Sequence, residues 1–142
     1  MDKVVVLMST YNGEKYLEEQ LRSIFAQKDV AVEVFARDDG SKDRSLEILK
    51  MNNCACEAGD NVGYIDSFMW LIRNAPSSEY YALSDQDDVW DENKLIAAIN
   101  MMKKGRSDAP QLHTCVVASD SGANPEILKN EKYGLLYKSG NP

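Results

Sequence analysis

The sequence predicts an α/β fold in which helices flank a mostly parallel β-sheet. Short apolar runs alternate four times with segments of helical periodicity, and a fifth apolar run follows them. The first run, residues 3–9, is continuous and rich in valine, as expected of a strand that is buried on both faces. Polar turns follow the first, second and fourth runs, as they do at the carboxyl ends of strands in Rossmann-like, doubly wound sheets.

The apolar runs define five predicted strands, and the segments between them define four helices. The strands are expected at residues 3–9, 30–37, 54–58, 80–83 and 112–118. The inward residues are Leu17, Leu21, Ile24 and Phe25 in the first helix, Leu46, Ile48 and Leu49 in the second, Ile65, Phe68, Met69 and Ile72 in the third, and Leu95, Ile96, Ile99 and Met102 in the fourth. Ser41 is the predicted N-cap of the second helix, and the last two helices are expected at residues 64–75 and 91–104.

The composition is that of a globular domain of 142 residues, with 44% hydrophobic and 27% charged residues. The net charge of -7 disfavours nucleic acid as a partner, because it repels a polyanion. Phosphates, if bound, should therefore be neutralised by a metal ion or by backbone N–H groups. The sequence shows neither a secretory signal nor an apolar run of about 18 residues, so we expect a cytoplasmic protein, free or peripheral at the inner face of the membrane.

A turn at residues 85–88 holds three carboxylates within four positions. Like charges this close repel one another, so an ion or a shared proton is needed to hold them together. Mn²⁺ and Mg²⁺ prefer oxygen ligands of this kind and also bind phosphates. The alternative is a solvated turn that caps the helix from residue 91, and spacing alone leaves both interpretations open.

Two further turns are suited to a nucleotide. Asp38-Asp39-Gly40 follows the second strand, where a carboxylate can accept hydrogen bonds from a base or a ribose, although an ordinary turn with a helix cap has the same pattern. Residues 9–13 offer backbone N–H groups and small side chains before a helix N-terminus. They lack the patterns G-x-G-x-x-G and G-x-x-x-x-G-K-[ST], which disfavours dinucleotide and P-loop sites.

Four motifs follow one another along the chain in a characteristic order. They are Ser9-Thr10-Tyr11-Asn12-Gly13, Asp38-Asp39-Gly40-Ser41-Lys42-Asp43, Asn61-Val62-Gly63 and Ser84-Asp85-Gln86-Asp87-Asp88-Val89-Trp90. Together they resemble family 2 glycosyltransferases of the GT-A fold, and among these the bacterial rhamnosyltransferase-like group that builds surface polysaccharides. The resemblance covers residues 3–120 and corresponds to the N-terminal, donor-binding part of those enzymes.

The resemblance implies a role for each matching position. The implied nucleotide-binding residues are Ser9, Thr10, Tyr11, Asn12, Asp39 and Asp85. Asp39 would accept a hydrogen bond from the base, typically uracil or thymine. Residues 85–87 would form the D-x-D motif, in which Asp87 binds Mn²⁺ or Mg²⁺ and Asp85 reaches the ribose or the water shell of the metal. Asp88 is a lesser candidate.

The implied reaction is the inverting transfer of a sugar from a UDP- or dTDP-sugar donor to a hydroxyl of a saccharide or lipid-linked saccharide acceptor. A carboxylate deprotonates that hydroxyl in the family, but no catalytic base is assigned here, because Glu126 and Glu131 are the only acids of the tail. We expect residues 1–124 to form the donor-binding domain and residues 125–142 to begin a truncated or missing acceptor-binding part. An uncovered sheet edge would favour self-association.

Two alternatives stay open at this point. The chain could be a catalytically inactive module that binds nucleotide-sugars or regulates a partner. It could also be a nucleotidyltransferase, which uses related metal chemistry on nucleotide phosphates. That enzyme class needs a basic residue in a glycine-rich first turn, and here Lys15 is the only lysine near a turn with a single glycine.

Overall fold

The computed structural model describes residues 1–85 and 88–104, together with the backbone of two strands at residues 115–117 and 134–138. It confirms the predicted α/β fold. The elements are β1 (Asp2–Thr10), α1 (Glu14–Phe25), β2 (Val30–Asp38), α2 (Ser45–Met51), β3 (Ala55–Ala58), α3 (Tyr64–Asn74), β4 (Tyr80–Asp85), α4 (Lys94–Lys104), β5 (Cys115–Val117) and β6 (Gly134–Lys138). None of the helices in this part of the chain is long and apolar enough to cross a membrane.

The sheet has the strand order β3-β2-β1-β4-β6-β5. The first four of these strands are mutually parallel, whereas β6 is antiparallel to both β4 and β5. Of the fifth predicted strand, at residues 112–118, the structure describes β5, and its other residues lie outside the described part. The sequence assigned no element to residues 134–138, yet β6 pairs with β4 there. The domain division at residue 124 stays a prediction.

β1 lies at the centre of the sheet, and its valine run is buried on both faces. Val4, Val6 and Met8 pack on one face against α1, α2 and α4. Val5 and Leu7 pack on the other face against α3. All five side chains are fully buried, and the burial of each contributes roughly 1.5–3 kcal/mol to folding. This two-sided burial explains why the strand reads as a continuous apolar run.

The third helix presents a different face to the sheet from the one predicted. Its buried residues are Ser67, Phe68 and Leu71, whereas the predicted inward residues Ile65, Met69 and Ile72 are only partly buried. The face is shifted because the Ser67 hydroxyl hydrogen-bonds to side chains at the ends of β1 and β2. Ser67 was not among the predicted inward residues, yet it faces the edge of the sheet where β1 and β2 end.

The starts of α2 and α4 also differ from the prediction. Ser41 does not cap α2, because its N–H and hydroxyl both donate to Asp38 and the helix begins only at Ser45. Asp43, one residue before the N-cap Arg44, instead accepts the N–H of Ser45, the first residue of α2, at 2.9 Å. α4 begins at Lys94 and not at residue 91, because the segment before it forms a turn. In α1, Phe25 was predicted to face inward but is 44% exposed at the helix end.

Candidate functional site

The carboxyl ends of three parallel strands meet at one edge of the sheet. β1 is the middle strand, and its Ser9 is in register with Arg37 of β2 and with Asp85 of β4. Thr10 is in register with Asp38. Ligands of doubly wound sheets bind at this edge, beyond the carboxyl ends of the strands. The topology therefore brings together three of the four motifs that the sequence singled out, which lie far apart along the chain.

Asp39 is buried at this edge, and its carboxylate accepts three hydrogen bonds from the residues that the structure describes. Its Oδ1 accepts from Nη1 of Arg37 at 2.5 Å and from the N–H of Val62 at 3.0 Å. Its Oδ2 accepts from the N–H of Gly63 at 3.1 Å. The backbone N–H of Asp39 donates to the Thr10 carbonyl at 2.8 Å. The fourth motif, residues 61–63, is thus tied to the second through this carboxylate.

Arg37 is a member of the site that the sequence analysis did not single out. It forms a buried ion pair with Asp39, and the side chains are only 8% and 4% exposed. Its guanidinium also donates to the Ser67 hydroxyl at 3.2 Å and to the Asp60 carbonyl at 3.0 Å, and it lies over the Trp70 ring. These contacts replace the hydration that a guanidinium loses on burial, since an unpaired buried charge costs several kcal/mol.

Ser67 connects the arginine to the first strand. Its Oγ accepts a 2.7 Å hydrogen bond from the Ser9 hydroxyl in addition to the one from Arg37. Ser9, a predicted nucleotide-binding residue, therefore belongs to a continuous buried network that runs through Ser67 and Arg37 to Asp39. We call this network, together with residues 59–63, the α3 wall of the site.

Two glycines allow the α3 wall to close around Arg37 and Asp39. A Cβ atom at Gly59 would stand 2.2 Å from Nη2 of Arg37, so only glycine lets the backbone pass so close to the guanidinium. Gly63 has a φ of +88°, in the left-handed region that favours glycine, and its N–H donates to Asp39. The Asn61-Val62-Gly63 motif thus serves to present two consecutive N–H groups to one carboxylate.

The opposite side of the site is tied by Asp38. Its Oδ1 accepts from the hydroxyls of Thr10 at 2.8 Å and Ser41 at 2.6 Å, and its Oδ2 accepts from the N–H of Ser41 at 2.9 Å. Thr10 is completely buried, so its hydroxyl serves the fold by holding β1 to the turn after β2. We call residues 10–13 and 41–45, with Asp38, the α2 wall.

Asn12 and Asp43 join the two turns of the α2 wall. The N–H of Asn12 donates to the Ser41 hydroxyl, and its side-chain oxygen accepts the N–H of Lys42 at 2.8 Å. Asn12 has a φ of 48°, a conformation that asparagine adopts more readily than most residues. Burial raises the pKa of Asp43, but hydrogen bonds from the Ser45 hydroxyl and from the N–H groups of Glu14 and Ser45 outweigh it, and the pKa lies below its usual value.

Exposed aromatic and apolar side chains belong to residues that hydrogen-bond to Asp39 or that follow such a residue directly. Tyr11 follows Thr10 directly and is 46% exposed. Val62 of the α3 wall and Tyr64, the first residue of α3, are exposed to a similar extent. These surfaces flank the segments that hydrogen-bond to Asp39, so they offer apolar contact area beside a polar anchor. That combination is typical of sites that bind a flat organic ring.

The acidic turn begins at the end of β4. Asp85 is partly buried there, in register with Ser9. Its neighbour Ser84 is buried and accepts a 2.7 Å hydrogen bond from the fully buried Gln20 of α1. Asp87, the predicted metal ligand, lies outside the described residues, as does Gln86. The metal site stays a prediction.

The donor atoms on this turn suit the predicted ion. Asp85 and the partly buried Asp88 offer carboxylate oxygens, the ligand type that Mn²⁺ and Mg²⁺ prefer. No group of three histidine, cysteine or acidic side chains that could hold a metal occurs among the residues that the structure describes.

The sequence carries a signal for the role of Arg37. A charged residue at the end of an apolar strand, two positions before an acid, places both side chains on the same side of an extended chain. An arginine and an aspartate at that spacing can form a buried ion pair. Ser67 carried no comparable signal, because a serine in a helix is most often exposed.

Among characterised proteins, the chain is similar to the dTDP-rhamnosyl transferase RfbG of Shigella flexneri. The two are 36% identical over 105 residues, which are 67% of this chain and 36% of that protein. The chain thus spans about a third of the length of this relative.

Two solved structures share the fold. TarS residues 1–349 from S. aureus superpose with a TM-score of 0.66 and 21% identity, over 96% of this chain and 47% of that chain; TarS has also been solved in complex with UDP-GlcNAc. The mannosyltransferase PcManGT from Pyrobaculum calidifontis, in complex with GDP-Man and Mn²⁺, gives a TM-score of 0.67 with 18% identity, over 99% of this chain and 48% of that chain.

These similarities agree with the predicted fold and with the resemblance that the motifs indicated. The profile of the family described as "Glycosyl transferase family 2" matches residues 5–138, nearly the whole chain. The chain therefore belongs to glycosyl transferase family 2.

Proposed function

We propose that this chain binds the nucleotide-sugar donor of a glycosyltransferase, and that the donor is a UDP- or dTDP-sugar. The observation that carries the proposal is the Asp39 carboxylate, which is buried where β1, β2 and residues 61–63 meet and is flanked by exposed apolar side chains. The similarity to RfbG, whose name specifies a dTDP-rhamnosyl donor, supports it. So do the complexes of TarS with UDP-GlcNAc and of PcManGT with GDP-Man.

The base is proposed to lie between the two walls. Uracil and thymine carry an imide N–H between two carbonyl groups, and Asp39 would accept a hydrogen bond from it. The exposed ring of Tyr11 would cover one face of the base, since aromatic side chains commonly stack on nucleobases. Ser9 and Thr10 would shape the pocket from β1, and Asn12 would hold the turn that carries Tyr11.

The diphosphate is proposed to lie at the acidic turn. Asp87 would hold Mn²⁺ or Mg²⁺, and Asp85 would contact either the ribose or the water shell of the ion. A bound divalent ion supplies Lewis-acid stabilisation of the departing diphosphate. With a net charge of -7, the chain has no excess of basic groups for that task.

The complete reaction is proposed to be an inverting transfer to a saccharide or lipid-linked saccharide hydroxyl, as part of surface polysaccharide synthesis on the cytoplasmic side of the membrane. In that reaction a carboxylate removes the proton of the acceptor hydroxyl, the oxygen attacks the anomeric carbon, and the nucleoside diphosphate leaves from the opposite face. We assign no residue of this chain as that base.

Calorimetric titration with UDP and dTDP, with and without Mn²⁺, tests donor binding. We expect binding that depends on the metal and is weakened at least tenfold in Asp87→Ala. Glu18→Gln is the matched control, because Glu18 is an exposed acid on α1, and its replacement should leave the affinity unchanged. Absence of metal-dependent binding, or an undiminished affinity in Asp87→Ala, would contradict the proposal.

A transfer or donor-hydrolysis assay separates an enzyme from a module that binds nucleotide-sugars without turnover. Turnover that disappears in Asp87→Ala would establish catalysis by this chain. Tight donor binding without turnover would favour the binding or regulatory module. Release of pyrophosphate from a nucleoside triphosphate and a sugar phosphate would instead identify a nucleotidyltransferase.

A further inference from the structure

We propose that Arg37 is a specificity-determining residue, which restricts Asp39 to bases that present a single N–H donor and so disfavours guanine. The inference rests on the proposed function, because it concerns the same base-binding position. It adds a physical reason for the choice of base, which follows from how the protein itself uses the oxygen atoms of Asp39.

The protein itself fills most of the acceptor positions of Asp39. A carboxylate offers about four lone-pair sites, two on each oxygen. Oδ1 accepts from Arg37 and from the N–H of Val62, at 2.5 and 3.0 Å. Oδ2 accepts from the N–H of Gly63 at 3.1 Å. Among the described residues no further donor is bonded to this carboxylate, so one acceptor position, on Oδ2, is left for a bound base.

Several contacts hold the Arg37 guanidinium in its position beside Asp39. Its guanidinium is held by the Ser67 hydroxyl and the Asp60 carbonyl, and the Trp70 ring lies beside it. Gly59 lies close to Nη2, since a Cβ added to it would stand 2.2 Å from that atom. Movement away from Asp39 would leave two buried charges without their partner, which is strongly unfavourable. The number of free acceptor positions is therefore a property of the folded site.

The nucleobases differ in the number of N–H donors that they present to such an acceptor. Uracil and thymine present one imide N–H, which a single acceptor satisfies. Guanine presents a ring N–H and an exocyclic amine side by side, so one of these donors would remain unpaired against Asp39. A donor left unpaired in a desolvated site weakens binding by about tenfold or more, and such unpaired groups are the strongest means of rejecting a close analogue.

Inosine diphosphate and guanosine diphosphate provide a direct test on the unchanged protein. Both carry a purine of the same shape, but hypoxanthine lacks the exocyclic amine and presents a single ring N–H. We measure the displacement of UDP by each nucleotide, at constant Mn²⁺. The expected result is that inosine diphosphate binds at least fivefold more tightly than guanosine diphosphate. Equal affinity, or tighter binding of guanosine diphosphate, would overturn the proposal.

Arg37→Met then tests whether the arginine sets this preference. The substitution frees the second position on Oδ1, so the ratio of the two purine affinities should fall to about one, whereas UDP remains bound. Arg22→Met is the control for loss of a positive charge, since Arg22 is an exposed residue of α1 that lies outside both walls, and it should keep the ratio of the unchanged protein. A ratio that is identical in Arg37→Met and the unchanged protein would show that the arginine is only structural.

The remaining outcomes are also decisive. If neither purine nucleotide displaces UDP at a hundredfold excess, the size of the base and not the acceptor count sets the selectivity, and the proposal fails. If Arg37→Met does not fold, the comparison of the two purine nucleotides on the unchanged protein still tests whether Asp39 offers a base only one acceptor position. If UDP itself does not bind the unchanged protein, the proposed function fails, which is distinguishable from failure of the inference.

Discussion

The two walls of the site are tied by adjacent aspartates that use different physical means. Asp38 holds the α2 wall through uncharged partners, the hydroxyls of Thr10 and Ser41 and one backbone N–H. Asp39 holds the α3 wall through a buried cation, Arg37, and two backbone N–H groups. Both carboxylates are almost completely buried, so the contrast lies in the partners and not in the exposure.

This difference determines what each wall contributes. A neutral hydrogen bond contributes about 1 kcal/mol net to the free energy of unfolding, so the loss of one lowers stability only modestly. A buried ion pair adds little net stability, but removal of one partner is costly because the other charge remains in a dry site. The α3 wall is therefore a rigid, all-or-none arrangement. It lies beside the position that we propose for the base, where a fixed acceptor geometry is most useful.

Asp39→Ala should have the largest effect on stability. It leaves the Arg37 guanidinium buried without its ion-pair partner, and we expect a loss of about 3–5 kcal/mol in the free energy of unfolding. Urea denaturation at pH 7 measures it. Replacement of both residues together, in Arg37→Met with Asp39→Ala, should cost less than the sum of the two single changes. Strictly additive costs would show that the two side chains are not coupled.

Asp38→Ala should have the next largest effect, about 2 kcal/mol. It leaves the fully buried Thr10 hydroxyl and the Ser41 N–H without their acceptor, but it leaves no buried charge without a partner. Thr10→Val is the matched control, because it removes one of these hydrogen bonds while keeping the volume of the side chain, and should cost less than half as much. A loss for Asp38→Ala equal to that for Asp39→Ala would remove the distinction between the walls.

Asp43→Ala should cost about 1 kcal/mol at pH 7, as expected for loss of a carboxylate that accepts the N–H groups of Glu14 and Ser45. The pKa of Asp43 in the folded chain lies below the ordinary 3.8. A depressed pKa stabilises the fold above the unfolded-state pKa, and this contribution is lost as the pH falls through the folded-state pKa. The difference between Asp43→Ala and the unchanged protein should therefore shrink between about pH 4 and pH 2. Urea denaturation at pH 7, 5, 4, 3 and 2 checks it, and a difference that grows in acid would contradict the assignment.

Gln20→Met should have the smallest effect and serves as the baseline for both walls. Gln20 is fully buried under the end of β4, where it donates to Ser84. Its Oε1 is buried without a partner among the described residues. Methionine removes the hydrogen bond and the unpaired oxygen together, so we expect a change within about 0.5 kcal/mol. Thermal unfolding measures it, and a loss above about 2 kcal/mol would show that this amide is needed to hold the acidic turn.

Much of the fold was predictable, because its signals are local. The valine run of β1, the helical periodicity of α1 and α4, and the turns after the strands are each encoded within about ten residues. The errors occurred where a tertiary contact overrides a local preference. Ser41 has the chemistry of an N-cap but hydrogen-bonds to Asp38, and α3 turns Ser67 inward because that hydroxyl has partners on two strands.

The location of the candidate site was predictable from the sequence, but its hydrogen-bond network was not. The sequence placed Ser9 and Asp39 at strand ends, and the parallel topology brings those ends together. It could not show that Asp39 is already engaged by three donors, because two of these come from residues more than 20 positions away. The site roles of Tyr11, Asn12, Asp85 and Asp87 stay predictions, and they depend on the binding experiments above.

The sequence by itself determined the alternation of strands and helices from β1 to α4, the position of the polar turns and the family, but it did not reveal β6. Each of these follows from patterns that neighbouring residues share, so no knowledge of distant contacts is needed. Only the tertiary structure decided that Arg37 and Asp39 pair in the interior and that Ser67 supports them. A buried charge is tolerated only when partners from separate segments arrive together, and β1, β2 and α3 meet only in the folded chain.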